Sequence, residues 1–251
     1  MKRVLGLELN PRQAALWFLG QAGYLVRAGE CTLAIDPYLT DSAAKESPSF
    51  SRRLPVPLVP EDMHVDILIV THDHLDHLDP ETIDRYPYKD NTSFVAPRFT
   101  SEKLVGLGVP ESQITRVGVG ETAQAKGVTV TGVFALPTGP DALDTTGYLV
   151  TFPNGRSFYH ASDTAFCRLL LRAAPRAEVL LVPINGKWGN LDVEEAAELT
   201  ETVDPRFVLP NHYDLMALNS ENPETFRHLC SHRGLSAKCV IAEIMQPFVW
   251  E

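Results

Sequence analysis

The chain has 251 residues, enough for one domain with a substantial core, and its 44% hydrophobic and 22% charged residues are those of an ordinary globule. A formal net charge of −10 argues against a non-specific binder of nucleic acid or membrane surface, since such a partner would require a local basic patch to overcome that field. Met1–Asn10 lacks the apolar run of a signal peptide, and no stretch approaches the roughly 20 apolar residues of a membrane span. The expectation is a cytoplasmic protein without membrane attachment. Cys31, Cys167, Cys230 and Cys239 form no CxxC pair and read as reduced thiols.

In chain order, Ala15–Leu19, Tyr24–Arg27 and Thr32–Ile35 read as closely spaced strands, separated by the turn signals Gly20-Gln21-Ala22-Gly23 and Gly29-Glu30. The polar, proline-bearing stretch from Asp41 to about Asp62 is too long for a simple connection and is expected to be a functional loop or lid. Asp66–Val70 is nearly all apolar, the pattern of a strand buried on both faces. A helix opens at Asp79-Pro80, with Asp79 as cap and Pro80 at the first helical position. Strands are predicted at Ser93–Ala96, Gln113–Val117, Val128–Phe134, Gly147–Phe152 and Ser157–His160, with a short helix over Thr100–Leu107.

The last third alternates strand and helix. Val179–Ile184 is a strand, and Asp192-Val193-Glu194-Glu195 opens a helix with a capping box. Phe207–Leu209 is a strand, Asn222-Pro223 starts a helix to about His232, and short strands close the chain near Cys239–Ala242 and Pro247–Trp250. No linker divides the chain, so residues 1–251 are expected to form one α/β domain: two packed sheets with helices outside, a four-layer αββα sandwich.

Three histidines and an aspartate fall within six residues, as His72-x-His74-x-Asp76-His77. Imidazole is the commonest side-chain ligand for zinc-like metals. On a tight turn after a buried strand, alternate residues project to one side. His72 and His74 can then grip one ion while Asp76 and His77 face a neighbouring position.

This turn resembles the signature of the metallo-β-lactamase fold superfamily. Asp36, in Ala34-Ile35-Asp36-Pro37, resembles the strand-end aspartate that orients the histidine turn from beneath. Asp163, in Tyr159-His160-Ala161-Ser162-Asp163-Thr164, resembles the carboxylate that bridges two metals, and His212, in Pro210-Asn211-His212-Tyr213-Asp214, the last metal-binding histidine. Trp17-Phe18-Leu19-Gly20-Gln21-Ala22-Gly23, Tyr159-His160 and Gln246-Pro247-Phe248-Val249-Trp250 extend the likeness toward the L-ascorbate-6-phosphate lactonase family. The resemblance implies a metal-dependent hydrolase of lactonase or esterase type. Two divalent ions, manganese or zinc, would be held by His72, His74, Asp76, His77, Asp163 and His212.

One feature departs from the superfamily pattern: Ala135-Leu136-Pro137-Thr138-Gly139-Pro140-Asp141 has no histidine where many members place a ligand. Either one position keeps only His72, His74 and Asp163 with water, or a carboxylate, Asp141 or Asp144, completes it. More oxygen ligands would favour manganese over zinc.

The expected reaction is attack by a metal-bound hydroxide on an ester or lactone of a small sugar-like metabolite, phosphorylated or not, with Asp76 as ligand and proton carrier. Phosphodiesterase or nuclease activity and a metal-binding protein of low activity are the rival readings. His160 reads either as a substrate or outer contact or as a satisfied core histidine. Arg52 and Arg53 could hold a phosphate from the lid or be simply solvated, and Lys187 and Asn190 follow a buried strand that could deliver them to the pocket. His64, His228 and His232 are expected to face solvent. The partner is expected to be a small molecule and not nucleic acid, with homo-oligomerisation left open.

Overall fold

The computed structural model describes all 251 residues. Its first sheet begins as an antiparallel meander, β1 (Ala14–Gly20), β2 (Gly23–Ala28) and β3 (Cys31–Ile35). It continues through three parallel pairings with β4 (Ile67–Ile69), β5 (Ser93–Ala96) and β6 (Ile114–Arg116). The second sheet repeats the plan. β7 (Thr122–Ala125), β8 (Val128–Phe134), β9 (Thr146–Thr151) and β10 (Ser157–His160) pair antiparallel, and β11 (Val179–Pro183), β12 (Phe207–Asn211) and β13 (Lys238–Cys239) follow in parallel. The last strand, β14 (Pro247–Trp250), returns to pair with β1.

Burial follows from strand periodicity. Leu16, Tyr24, Ile35, Ile67 and Ile69 face Val130, Tyr148, Phe158, Leu181 and Leu209 across the gap between the sheets. The alternate residues Trp17, Leu68, Val70 and Phe94 point outward. They pack under α1 (Lys2–Leu5), α2 (Pro80–Arg85) and α3 (Arg98–Gly106), which contribute Val4, Ile83 and Leu104. On the far side Tyr159, Leu180, Val182 and Val208 pack against α4 (Arg168–Ala173), α5 (Val193–Val203) and α6 (Pro223–His232). The architecture is therefore the four-layer αββα sandwich expected. No helix is long and apolar enough to cross a membrane.

Most element positions match the sequence reading, and the differences have physical causes. The helix expected at Thr100–Leu107 begins earlier, at Arg98. Asp144, distant in sequence, accepts hydrogen bonds from the Phe99 N–H and the Thr100 hydroxyl and so supplies the cap that the local sequence lacks. β7 escapes the sequence reading because Thr122-Ala123-Gln124-Ala125 is short and polar, and α1 and α4 are only one to two turns long. Between Asp41 and Asp62 the chain makes three short 3₁₀ turns, Ser42–Lys45, Pro48–Phe50 and Pro60–Asp62.

The Asp192 cap is formed as read. Its carboxylate accepts from the Glu195 N–H at 2.9 Å while the Glu195 side chain accepts from the Asp192 N–H at 3.1 Å. Asp192→Ala should cost about 1 kcal/mol. For a domain of this size that lowers the melting temperature by about 2–4 °C. Thermal unfolding followed by circular dichroism checks it, and an unchanged melting temperature would show that the cap contributes nothing.

Candidate metal centre

Every candidate ligand sits just past the C-terminal end of a buried strand. β3 delivers Asp36, β4 the turn carrying His72, His74, Asp76 and His77, β10 delivers Asp163, and β12 delivers His212. The six donors fall into two groups, His72–His74–Asp163 and Asp76–His77–His212, with the donor atoms of each within 4.8 Å of one another. His72 Nε2 faces His74 Nδ1 at 2.9 Å, and His77 Nε2 faces His212 Nε2 at 3.4 Å. Asp163 joins the groups, because its Oδ1 lies 3.2 Å from His77 Nε2 and 3.1 Å from His212 Nε2. Asp76 Oδ2 lies 3.3 Å from His212 Nε2.

The donor set fits divalent cations on its own chemistry. His77 Nδ1 is committed to Asp36 Oδ2 at 2.8 Å, which leaves Nε2 to present its lone pair toward Asp163 and His212. Asp163 Oδ1 is buried and has no hydrogen-bond partner despite its two close imidazole nitrogens. Lone pairs converging in a buried space repel unless protons or cations lie among them. Protons do so only at the cost of charging buried rings. Burial opposes that charge, yet Asp163 with Asp76 and Asp36 holds His77 well above the ordinary histidine range. Burial likewise opposes charge on His212, which Asp163 and Asp76 nonetheless raise to about 9. Burial and the neighbouring His77 push His72 down to about 3. The two carboxylates behave in the matching sense. Burial would raise both, but His77 and His212 hold Asp76, and His212 and His77 hold Asp163, below the usual carboxylate range.

Outer contacts fix this arrangement. Asp36 accepts from the Thr71 N–H at 2.8 Å and the Thr71 hydroxyl at 2.7 Å as well as from His77. Asn190 Nδ2 donates to Asp163 Oδ2 at 2.9 Å, leaving Oδ1 to face the histidines. Gln21 Nε2 donates to Asp76 Oδ2 at 2.7 Å, and the Gln21 carbonyl accepts from the His212 N–H at 2.7 Å. Gln21 was legible in the sequence only as part of a turn. Gly23 beside it has no alternative, since a Cβ there would sit 2.7 Å from the Asp36 carbonyl oxygen. Gln21, Asp36, Ser162, Trp188 and His212 all have positive φ, between 46° and 64°, so unfavourable backbone conformations concentrate around this centre.

Several sequence expectations need correction. His160 does not face substrate: it is buried, its Nδ1 accepts from the Ser162 N–H, and its Nε2 donates to the Ala22 carbonyl at 2.8 Å. It is a satisfied core histidine that ties the Gln21 turn to the end of β10. Arg52 does not reach the cavity, because its guanidinium lies over the Tyr38 ring and donates to the Tyr38 carbonyl. Arg53 donates to the Ser220 hydroxyl and Lys187 to the Ser220 carbonyl, and neither lines the cavity. Asp144 is spent on capping α3. Asp141 lies 3.5 Å from His74 Nε2, on the opposite side of the ring from the Nδ1 that faces His72, so it can orient His74 without sharing its ion. The first group of donors is thus His72, His74 and Asp163. His64, His228 and His232 are exposed as expected.

A cavity of about 580 Å³ opens onto the donors, lined by His74, Asp76, Asp163, Asn190 and His212 at its floor. A family profile described as the Beta-lactamase superfamily domain matches residues 32–213, and a UPF0173 metal-dependent hydrolase of Pyrobaculum arsenaticum is 30% identical, over 84% of this chain and 88% of its own. The chain belongs to the UPF0173 metal-dependent hydrolase family of the metallo-β-lactamase superfamily. The UPF0173 hydrolase Ta0764 of Thermoplasma acidophilum is similar too, at 28% identity over 87% of this chain and 91% of its own. The fold is also that of Igni18, a metallo hydrolase from Ignicoccus hospitalis. That structure superposes with a TM-score of 0.75 at 24% identity, over 95% of this chain and 99% of the other.

The geometry makes Asp36 the residue that sets the His77 tautomer in this UPF0173 protein. Asp36→Asn should keep the fold and weaken metal binding by about 10–100-fold, the usual penalty for losing an outer partner of a ligand. Metal titration with circular dichroism as the fold control measures it, and unchanged affinity would reduce Asp36 to a turn residue.

Proposed function

We propose that this UPF0173 hydrolase is binuclear and cleaves a carboxylic ester or opens a lactone in a small molecule. The observation that carries the reading is the position of Asp163 Oδ1, buried and without a hydrogen-bond donor between His77 and His212 while its own group includes His72 and His74. His72, His74 and Asp163 would hold one ion, and Asp76, His77, His212 and Asp163 the other. Divalent cations held there supply Lewis acidity, which brings the pKa of water toward ~7 and polarises a substrate carbonyl oxygen. Zinc and manganese both suit such nitrogen and carboxylate donors.

The protein's own residues do the remaining work. Asp76 faces the cavity and is pinned through Oδ2 by Gln21, so its carboxylate is held where it can take a proton from the attacking water and return it to the leaving oxygen. Asn190 fixes the Asp163 carboxylate by one oxygen, and Asp36 fixes the imidazole of His77 by one nitrogen. The dimensions of the cavity suit a small molecule, and the absence of lysine and arginine from its lining speaks against a phosphodiester polymer as substrate.

Asp76→Asn tests the proton-carrying role, since it keeps the size and one ligating oxygen but loses basicity. Turnover of an activated ester or lactone should fall by at least ~10²-fold at saturating manganese and at saturating zinc. His64→Ala, exposed and packed against Tyr88 away from the centre, is the control and should change nothing. Full rescue of Asp76→Asn by added metal would make Asp76 a ligand only, and undiminished turnover without added metal would remove it from the reaction.

A further inference from the structure

The walls of the cavity carry information that the metal centre does not. The 3₁₀ turns after Asp41 contribute Ala43, Glu46 and Phe50, Met216 packs in one cluster with Ala43 and Phe50, and Trp188 lies beside Phe50. The Phe50 and Trp188 rings lie 6.4 Å apart, inclined by 56°. Trp188 is 60% exposed and its φ is +57°, an unfavourable conformation for a bulky side chain. Its indole N–H donates to Asn219 Oδ1 at 3.2 Å, which fixes the ring in place over the opening. Gly189 supports that placement, because a Cβ there would come within 3.0 Å of the Thr138 carbonyl on the neighbouring loop. A large aromatic ring held in this way at the mouth of a cavity offers a flat apolar surface to a ligand.

The charge of the lining is one-sided. Beyond the metal-facing groups its ionisable residues are Glu46 and Asp141, and it contains no lysine or arginine. The nearby cations are engaged elsewhere: Lys45 with Glu81, Arg52 with Tyr38, and Arg53 and Lys187 with Ser220. Lys103, in the adjoining recess beyond Asp141, pairs with Asp73. Away from the two ions, an anionic substituent at the mouth would therefore meet Glu46 and Asp141 with no compensating cationic side chain. A positive one would meet Glu46 and the faces of two aromatic rings.

We propose that the cavity selects esters or lactones with an apolar, preferably aromatic, body and no anionic group, takes those with a cationic substituent best, and uses Phe50, Trp188 and Glu46 as its specificity residues. This deepens the hydrolase reading and rests on it. It departs from the small sugar-like metabolite, phosphorylated or not, expected from the sequence.

Three matched 4-nitrophenyl esters test it on the metal-reconstituted protein: the butyrate, its 4-trimethylammonio derivative and the hemiglutarate. The expected order of kcat/KM is cationic, then neutral, then anionic, with at least about 10-fold between neutral and anionic, the scale of one unit charge beside a partly solvated carboxylate. Glu46→Lys should shift the cationic-to-anionic ratio by about 10-fold toward the anionic ester. Trp188→Ala should raise KM for all three esters, most for the cationic one, whose charge loses an aromatic face. An anionic ester handled as well as the neutral one, or a ratio indifferent to Glu46→Lys, overturns the proposal.

Absence of turnover with all three esters would count against the ester-hydrolase reading, and the cavity is then read by binding. Benzyltrimethylammonium should quench tryptophan fluorescence at concentrations at least about 10-fold lower than benzoate does, and Glu46→Lys should abolish the difference. Equal or stronger quenching by benzoate overturns the proposal independently of activity.

Discussion

Asp36 accepts three hydrogen bonds in a space closed to water: the N–H and hydroxyl of Thr71 and Nδ1 of His77. Much of the centre follows from this one constraint. The Thr71 bonds lock the second residue after β4 and so set where the histidine turn leaves the sheet. The His77 bond decides which ring nitrogen carries the proton, and therefore that the lone pair of Nε2 points toward Asp163 and His212. The strain is visible in the backbone, where Asp36 itself takes a positive φ of 46°. Such a conformation persists only where surrounding contacts over-determine it, and here the hydrogen bonds of the site do so.

The fold delivers the remaining ligands by the same device used twice. Each sheet runs from an antiparallel meander into three parallel pairings. The site is assembled at the C-terminal ends of the parallel strands, where the chain must leave the sheet and side chains from neighbouring strands converge. Asp36 follows the first parallel strand of one sheet and Asp163 the first of the other. The cavity lies above this edge, with aromatic and acidic walls from the loops at Ser42–Phe50 and Asn185–Asn190. The metal-facing groups are thus held by the sheets and the cavity walls by the loops.

What was legible in the sequence follows from the range of the forces involved. The His72–His77 turn announces itself because its residues are local and flanked by a buried strand and a capped helix. Asp163 and His212 required the family resemblance, since nothing in their immediate neighbours marks them as ligands. Gln21 was hidden inside a turn signal, and its role exists only because β1 and β12 bring it against Asp76 and His212. Arg52, Arg53 and Lys187 could not be placed from the sequence for the converse reason. Their sequence neighbourhood is near the site, but long side chains choose partners by geometry, and Tyr38 and Ser220 are their partners. Asp141 and Asp144 could not be told apart until the fold placed one beside His74 and the other beneath the first turn of α3.

The central claim is that one carboxylate, Asp163, joins two cation positions. Elemental analysis of the purified protein after reconstitution with manganese or zinc and removal of excess metal tests it most directly. The account predicts close to two equivalents per chain, with Asp163 in contact with both ions in a crystal structure of that sample. A firm limit of one equivalent, with Asp163 clear of the metal, would contradict it.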